Sequence, residues 1–356
     1  MSTLKNLQRI AVLHGAGYAG GALLELLLAH PLAEVVGVTS RSQAGAPVWG
    51  THARLRGQTD LAYVAPDDLG TAFDTAFVCA EHGQGAHAVA ALRAAGFEGV
   101  VVDLSADHRL DAETYTAVYG LDHPDPAALD GAVYGLAERL APADVAGATL
   151  LAAPGCFATG ISLALAPLAD LGPMTASVTA LTGASGSGAR PSATTHFPSR
   201  DGNVRAYRVF DHRHLAEVRQ VLGAGAEVRF VPASGPWTRG IWGTAHVATG
   251  AHADAIDAAF EAAYGDRPLV RVSPGALPEL LPVVGTPFCD VGWVHGDGHV
   301  VVGFALDNLL KGAAAQAVQL FNLAHGWPEA LGLLPGVAAP LASPIPVTES
   351  HSPVSS

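Results

Sequence analysis

The sequence predicts an α/β protein, with a parallel, doubly wound sheet in its first half and an α+β unit in its second. Three observations carry this expectation. Short apolar runs alternate with helix-forming segments up to about residue 155, a glycine cluster separates the first run from the first helix, and from about Thr175 strands are divided by polar loops instead. A chain of 356 residues is long enough for two packed domains.

Arg9–Leu13 is a short apolar run, and Gly21–His30 reads as a helix stopped by Pro31. Glu34–Val38, Thr75–Cys79 and Val100–Asp103 repeat the strand signature, with Ala86–Ala95 as an alanine-rich helix ended by Gly96. Strand, helix, strand at this spacing means parallel pairing with right-handed crossovers. Leu150 onward reads as strand, sharp turn and helix, the helix starting at Cys156. Ser177–Thr182, Glu227–Val231, Trp242–Val247 and Val300–Phe304 are strands divided by long polar loops rather than regular helices, which suggests a mixed or antiparallel sheet. Lys311–Asn322 is the last strong helix, and the Pro/Ser-rich Leu334–Ser356 is expected to be poorly ordered. The expected domains are residues 1–155, completed by a C-terminal helical segment 308–333, and residues 156–307, with 334–356 as a flexible tail.

Apolar residues at 49% and charged residues at 14% exclude disorder driven by charge. No window reaches about 18 uninterrupted apolar residues, since Ile161–Leu171 carries Pro167 and Asp170, so no membrane span is expected. Met1–Arg9 lacks the apolar stretch of a secretory signal, which points to the cytoplasm. A net charge of −13 argues against nucleic acid as a partner. Cys79, Cys156 and Cys289 fit neither a disulfide framework nor a metal site, and no metal is expected.

Gly15-Ala16-Gly17-Tyr18-Ala19-Gly20 lies between the first strand and the first helix, the context in which such a turn holds a dinucleotide pyrophosphate at the helix N-terminus. This makes the first domain Rossmann-type. The second strand runs into Ser40-Arg41-Ser42 with no Asp or Glu for a ribose 2′-hydroxyl. Arg41 offers a cation to a 2′-phosphate, which favours NADP(H), or it is a solvated loop residue.

Cys156 follows Pro154-Gly155 at a helix start, where helix N–H groups favour a thiolate and a developing oxyanion. Cys79 and Cys289 read as small buried hydrophobes. His214 and Glu217 stand at i and i+3 of a helix, so the carboxylate is placed to orient the imidazole of a proton-transfer partner. His212 is a candidate substrate contact, whereas His196, His246 and His295 read as incidental. The loop Thr182–Arg190, with Ser185 and Gly186, is either an anion cradle or a flexible connection. Ser105 and Arg109 lie just beyond a parallel strand's C-terminal end, where ligands collect, and Arg109 binds phosphate or forms a salt bridge.

Taken together, Gly17-Tyr-Ala-Gly-Gly, Ser40-Arg-Ser, Asp103–Leu110, Pro154–Thr159, His212–Glu217, Arg239-Gly-Ile241 and Asp307–Ala313 resemble the N-acetyl-γ-glutamyl-phosphate reductase family over nearly the whole chain. Thr195–Arg205, Leu55–Gly57 and Gly326–Glu329 look most like its lysine-biosynthetic branch, which reduces an aminoadipyl phosphate carried on an acidic amino-group carrier protein. The resemblance implies that Cys156 attacks an acyl phosphate to give a thioester, which hydride from NADPH reduces to the semialdehyde. It further implies His214 as acid/base group, Arg109 at the phosphate, Asn308 near the nicotinamide, and assembly as a homodimer or homotetramer. The family commonly has Gly at the place of His14. Aspartate-semialdehyde dehydrogenase resembles the chain less, and a non-catalytic NADP(H) sensor has no use for Cys156. Arg200, Arg205, Arg208 and Arg213 cluster in sequence as a basic docking segment for an acidic carrier.

Overall fold

Apolar runs flanked on both faces by helices have nowhere polar to point, and in the computed structural model they form a parallel sheet buried between helical layers. The structure describes residues 7–296 and 298–339. Its first sheet contains β1 (Gln8–Leu13), β2 (Ala33–Thr39), β3 (Tyr63–Val64), β4 (Thr75–Val78), β5 (Val100–Asp103), β6 (Ala132–Tyr134) and β7 (Leu150–Ala152). The order is β3-β2-β1-β4-β5-β7-β6, and every pairing is parallel. The order reverses direction beside β1, and this switch point is where an open α/β sheet leaves a crevice at its C-terminal edge. The longer helices of this half are α1 (Tyr18–Ala29), α2 (Gly85–Ala94) and α3 (Ala112–Tyr119). Asp111 caps α3 by accepting the Thr114 N–H at 2.9 Å, and Gly120 ends it in the left-handed conformation.

The second half builds a mixed sheet from β8 (Met174–Thr182), β9 (Arg205–Ala206), β10 (Ala226–Ser234), β11 (Ile241–Ala248), β12 (Val270–Pro274), β13 (Cys289–Gly296) and β14 (His299–Leu306). The order is β12-β13-β14-β11-β8-β10-β9. Met174, Ala176, Val178 and Ala180 of β8 face the core while Thr175, Ser177 and Thr179 face out, so one side of the sheet is covered and the other is polar. The covering helices are α4 (Cys156–Ala169), α5 (His214–Leu222) and α6 (Ala253–Tyr264). α4 is apolar all round because it is buried on every side, with only its first and last residues partly exposed.

Three features depart from the sequence reading. α6 occupies a stretch expected to be loop, and its buried Ile256, Phe260 and Tyr264 show the helical spacing that was overlooked. The strands β3, β6, β9, β12 and β13 were not foreseen. The helix expected over Lys311–Asn322 begins as a π-turn at Leu310–Ala314 and continues as α7 (Ala315–Ala324). Leu310, Ala314, Val318, Phe321, Trp327 and Leu331 share a core with Ile10, Leu23, Leu27 and Phe77, so this segment packs on the first sheet. Of the stretch expected to be disordered, Leu334, Val337 and Ala339 pack against that core, and residues 340–356 lie outside the described residues.

Candidate active site

A cleft of about 350 Å³ brings the glycine turn, the cysteine and the histidine together. Gly17, Tyr18, Ala19 and Gly20 form one wall, and Arg109, Cys156, His214, Ser185, Gly186 and Asn308 line the rest. In the turn itself the glycines divide their work. Gly15 is a packing position, since a Cβ there would meet Val38 Cγ1 at 2.5 Å, and a Cβ at Gly20 would collide with the Gly15 carbonyl. Gly17 has open space where a Cβ would be and caps α1 without a side chain, leaving the helix N–H groups accessible to an anion. Ala16 is partly exposed and, with Gly15, stands outside the cleft lining.

Gly155 caps α4, so Cys156 occupies the first helical position. A Cβ at Gly155 would run into the imidazole of His214, and one at Gly312, in the π-turn, would meet Cys156 Cβ at 2.7 Å. The thiol is thus enclosed between the histidine and the C-terminal segment. Burial pushes its pKa up to about 11, and Arg109 together with the N–H groups of Phe157 and Cys156 only partly offsets this. Burial therefore opposes the thiolate that the helix N-terminus and Arg109 favour. Burial pushes Cys79 up to about 12, with Asp103 adding to the rise, and pushes buried Cys289 up as well.

His214 is held well below the usual imidazole range, first by burial and then by His212 and Arg109, so the ring is neutral at pH 7. Its Nδ1 is buried with no hydrogen-bond partner among the described residues. Glu217 does not orient it. That carboxylate is fully buried and accepts from Arg109 Nη1 at 3.1 Å, Tyr134 Oη at 3.0 Å and the Gly155 N–H at 2.8 Å. The helical spacing is as expected, but the carboxylate turns toward the Arg109 guanidinium, a stronger partner than a neutral imidazole.

Arg109 donates Nε–H to the Ala153 carbonyl at 2.7 Å and Nη2–H to the Leu104 carbonyl at 2.8 Å. Three of its five donors are thereby committed within the protein, and its side chain still lines the cleft. Asn308 donates Nδ2–H to Ser185 Oγ at 3.0 Å and accepts the Gly240 N–H at 2.7 Å, which fixes the amide at the cleft edge.

Two expected substrate contacts lie elsewhere. Ser105 is buried and donates to Asp103 at 2.8 Å, because its short hydroxyl closes a turn after β5. His212 packs edge-on against Phe157, Tyr207 and Phe230 and takes the His214 N–H on Nδ1 at 3.2 Å, behind His214 rather than in the cleft lining. Sequence reasoning missed His82, which lines the cleft, together with the packing role of Gly312. Of the cofactor candidates after β2, Ser40 is buried with its N–H on the Val64 carbonyl, while Arg41 and Ser42 are exposed.

The described residues contain no helix long and apolar enough to cross a membrane. Residues 9–139 match the family described as semialdehyde dehydrogenase, NAD binding domain, and residues 156–308 match semialdehyde dehydrogenase, dimerisation domain. An N-acetyl-gamma-glutamyl-phosphate reductase of Methanocella arvoryzae is 42% identical over 91% of this chain and 97% of its own. A [LysW]-L-2-aminoadipate 6-phosphate reductase of Deinococcus radiodurans is 40% identical over 94% of this chain and 98% of its own. Among solved structures, aspartate semialdehyde dehydrogenase II of Vibrio cholerae superposes with a TM-score of 0.70 at 17% identity, covering 90% of this chain and 98% of that one, which shows the shared fold. The chain belongs to the semialdehyde dehydrogenase family, within the group of its acyl-phosphate reductases, and is an NAD(P)-binding oxidoreductase acting at the aldehyde level.

Proposed function

We propose that this protein reduces an acyl phosphate to its semialdehyde with NADPH, through a thioester on Cys156. The observation that carries the reading is the convergence of a thiol, a neutral imidazole, a buried guanidinium and the glycine turn on one cleft. The open face at Gly17 and the N-terminus of α1 fit a pyrophosphate, and Arg41 fits a 2′-phosphate.

In this reading His214 takes the Cys156 proton as the sulfur attacks the acyl carbon, which is why a neutral imidazole is required rather than an imidazolium. The N–H groups at the start of α4 stabilise the oxyanion, and Arg109 stabilises the phosphate as it leaves. The S–C bond forms as the C–O bond to phosphate breaks, and protonated His214 holds the proton for the product side. When bound, the nicotinamide cofactor supplies the hydride that takes the thioester carbon to the aldehyde level; the S–C bond then breaks, and the Cys156 sulfur recovers its proton from His214. Asn308, pinned by Ser185 and Gly240, holds the edge of that cleft.

The substrate we propose is L-2-aminoadipyl 6-phosphate attached to a small acidic carrier protein. Arg205 and Arg208 are exposed on the segment leading to His214, and Phe197, Val204 and Phe210 expose apolar surface on the same segment. Arg200 leaves the basic cluster expected there, because its guanidinium is buried and donates to the carbonyls of Gly235 and Thr182. Arg213 is half-buried over the Tyr119 ring. A second reading, free N-acetyl-γ-glutamyl phosphate, is favoured by the 42% identical relative named for that substrate. The same proposal carries cytoplasmic assembly as a homodimer or homotetramer. Phosphate-dependent oxidation of N-acetylglutamate semialdehyde and of carrier-bound aminoadipate semialdehyde separates the two substrates. Activity on neither contradicts acyl-phosphate chemistry.

A further inference from the structure

His14 follows β1 in a left-handed conformation, with φ of 56°. A side chain with a Cβ is uncommon there and costs on the order of 1–3 kcal/mol, so a glycine would serve the turn better. The conformation is held by the His14 N–H, which donates to Thr39 Oγ1 at 2.9 Å, and by Gly15, whose N–H reaches the Thr39 carbonyl at 3.0 Å. The turn therefore holds a residue with a side chain in a left-handed conformation, and it delivers an imidazole to a definite place.

That place is a cavity of about 380 Å³ whose lining shares no residue with the Cys156 cleft. His14 lines it with Thr39 and Arg41 from the end of β2, Asp67 from the connection after β3, and Gln84 and His87 at the start of α2. Neither ring nitrogen of His14 has a hydrogen-bond partner among the described residues, and Arg41 has no ion-pair partner among them. Burial and the nearby Arg41 charge hold the imidazole below its usual range, so a neutral His14 offers one ring N–H beside the Arg41 guanidinium to an anion in this cavity. The end of β2 is where a dinucleotide fold places the adenosine ribose 2′-position.

We infer that His14 is a second contact for the cofactor's 2′-phosphate, acting beside Arg41, and thus a residue that determines NADP over NAD. This rests on the NADPH reading above. A dianion there accepts a hydrogen bond from the imidazole, or takes the imidazolium form as partner by raising its proton affinity. The other ionisable groups facing this cavity are Arg41, Asp67 and His87, and His52 meets the turn from behind through the Gly15 carbonyl at 2.8 Å.

The test is binding, read by calorimetry or NADPH fluorescence, of NADPH and NADH and of their fragments 2′,5′-ADP and 5′-AMP to wild type, His14→Gly, His14→Asn and Arg41→Ala. Both His14 variants accept the left-handed backbone, so their melting temperatures should hold or rise. Each should bind NADPH and 2′,5′-ADP about tenfold more weakly, with NADH and 5′-AMP changed less than twofold. A His14→Gly protein that keeps the wild-type NADPH-to-NADH ratio, while Arg41→Ala loses it, overturns the inference and leaves the NADPH reading standing. A wild type that binds NADPH no better than NADH overturns both.

Discussion

The carboxylate of Glu217 accepts the backbone N–H of Gly155 at 2.8 Å, so a residue one turn into α5 fixes the cap immediately before the nucleophile. The same carboxylate is paired with Arg109, which comes from the first domain. Cysteine, guanidinium and histidine helix are thereby referenced to one buried anion. Glu217 touches none of the proposed reacting atoms, which makes it a positioning residue.

Replacing Glu217 by Ala should strand the buried Arg109 charge and release the Gly155 N–H, a loss of about 3–5 kcal/mol in stability. Glu217→Gln keeps an acceptor and should fold better. Both should lower the rate of Cys156 acylation far more than they weaken NADPH binding, measured by rapid quench and by fluorescence titration. Equal damage to both would make Glu217 a general stability residue only.

Because burial pushes the Cys156 thiol up to about 11, alkylation by iodoacetamide without substrate should be slow at pH 7 and still accelerating above pH 9. The pH profile of labelling, followed by peptide mass spectrometry, checks this. A plateau near neutrality would mean a standing thiolate.

Acid sensitivity follows from the buried imidazoles. His30, His212 and His214 are all lowered, principally by burial, with His212 at about 4. Unfolded, these groups take protons near pH 6.5 that the folded chain accepts only at lower pH. Their contribution to stability is complete above pH 6.5 and is lost as the pH falls toward the folded values. Thermal melts should show a lower Tm at pH 5 than at pH 7.5, and an unchanged Tm would contradict the neutral, buried assignment.

If Arg205 and Arg208 steer an acidic carrier, KM for carrier-bound substrate should rise with salt, since exposed charges are screened over about 8–10 Å at 0.1–0.15 M. The double variant Arg205→Ala, Arg208→Ala should impair carrier-bound substrate and spare free N-acetyl-γ-glutamyl phosphate. Equal impairment would move these arginines to a shared substrate site.

The central strands of the first sheet were legible because they are continuous apolar runs, whereas the two-residue β3 and three-residue β6 were too short to show a pattern, and Cys156 was legible because Pro154-Gly155 announces a turn into a helix. The directions of side chains were not. Spacing alone places Glu217 under His214, yet the choice between an imidazole and a guanidinium depends on Arg109, 108 residues away in sequence. Ser105 followed a strand end as a ligand residue does, but a short hydroxyl beside Asp103 closes the turn first. Arg200 counted as surface charge until its carbonyl partners on Gly235 and Thr182 were known. At Cys156 the helix N-terminus that favours a thiolate is visible in sequence, and the desolvation that opposes it is not.

The central claim is a covalent thioester on Cys156, and intact-protein mass spectrometry with acyl phosphate and no cofactor tests it most directly. The account predicts one acyl adduct, located on Cys156 and absent from Cys79 and Cys289, with one equivalent of phosphate released and neither seen in Cys156→Ser. Turnover by Cys156→Ser at the wild-type rate, or an adduct on another residue, would contradict it.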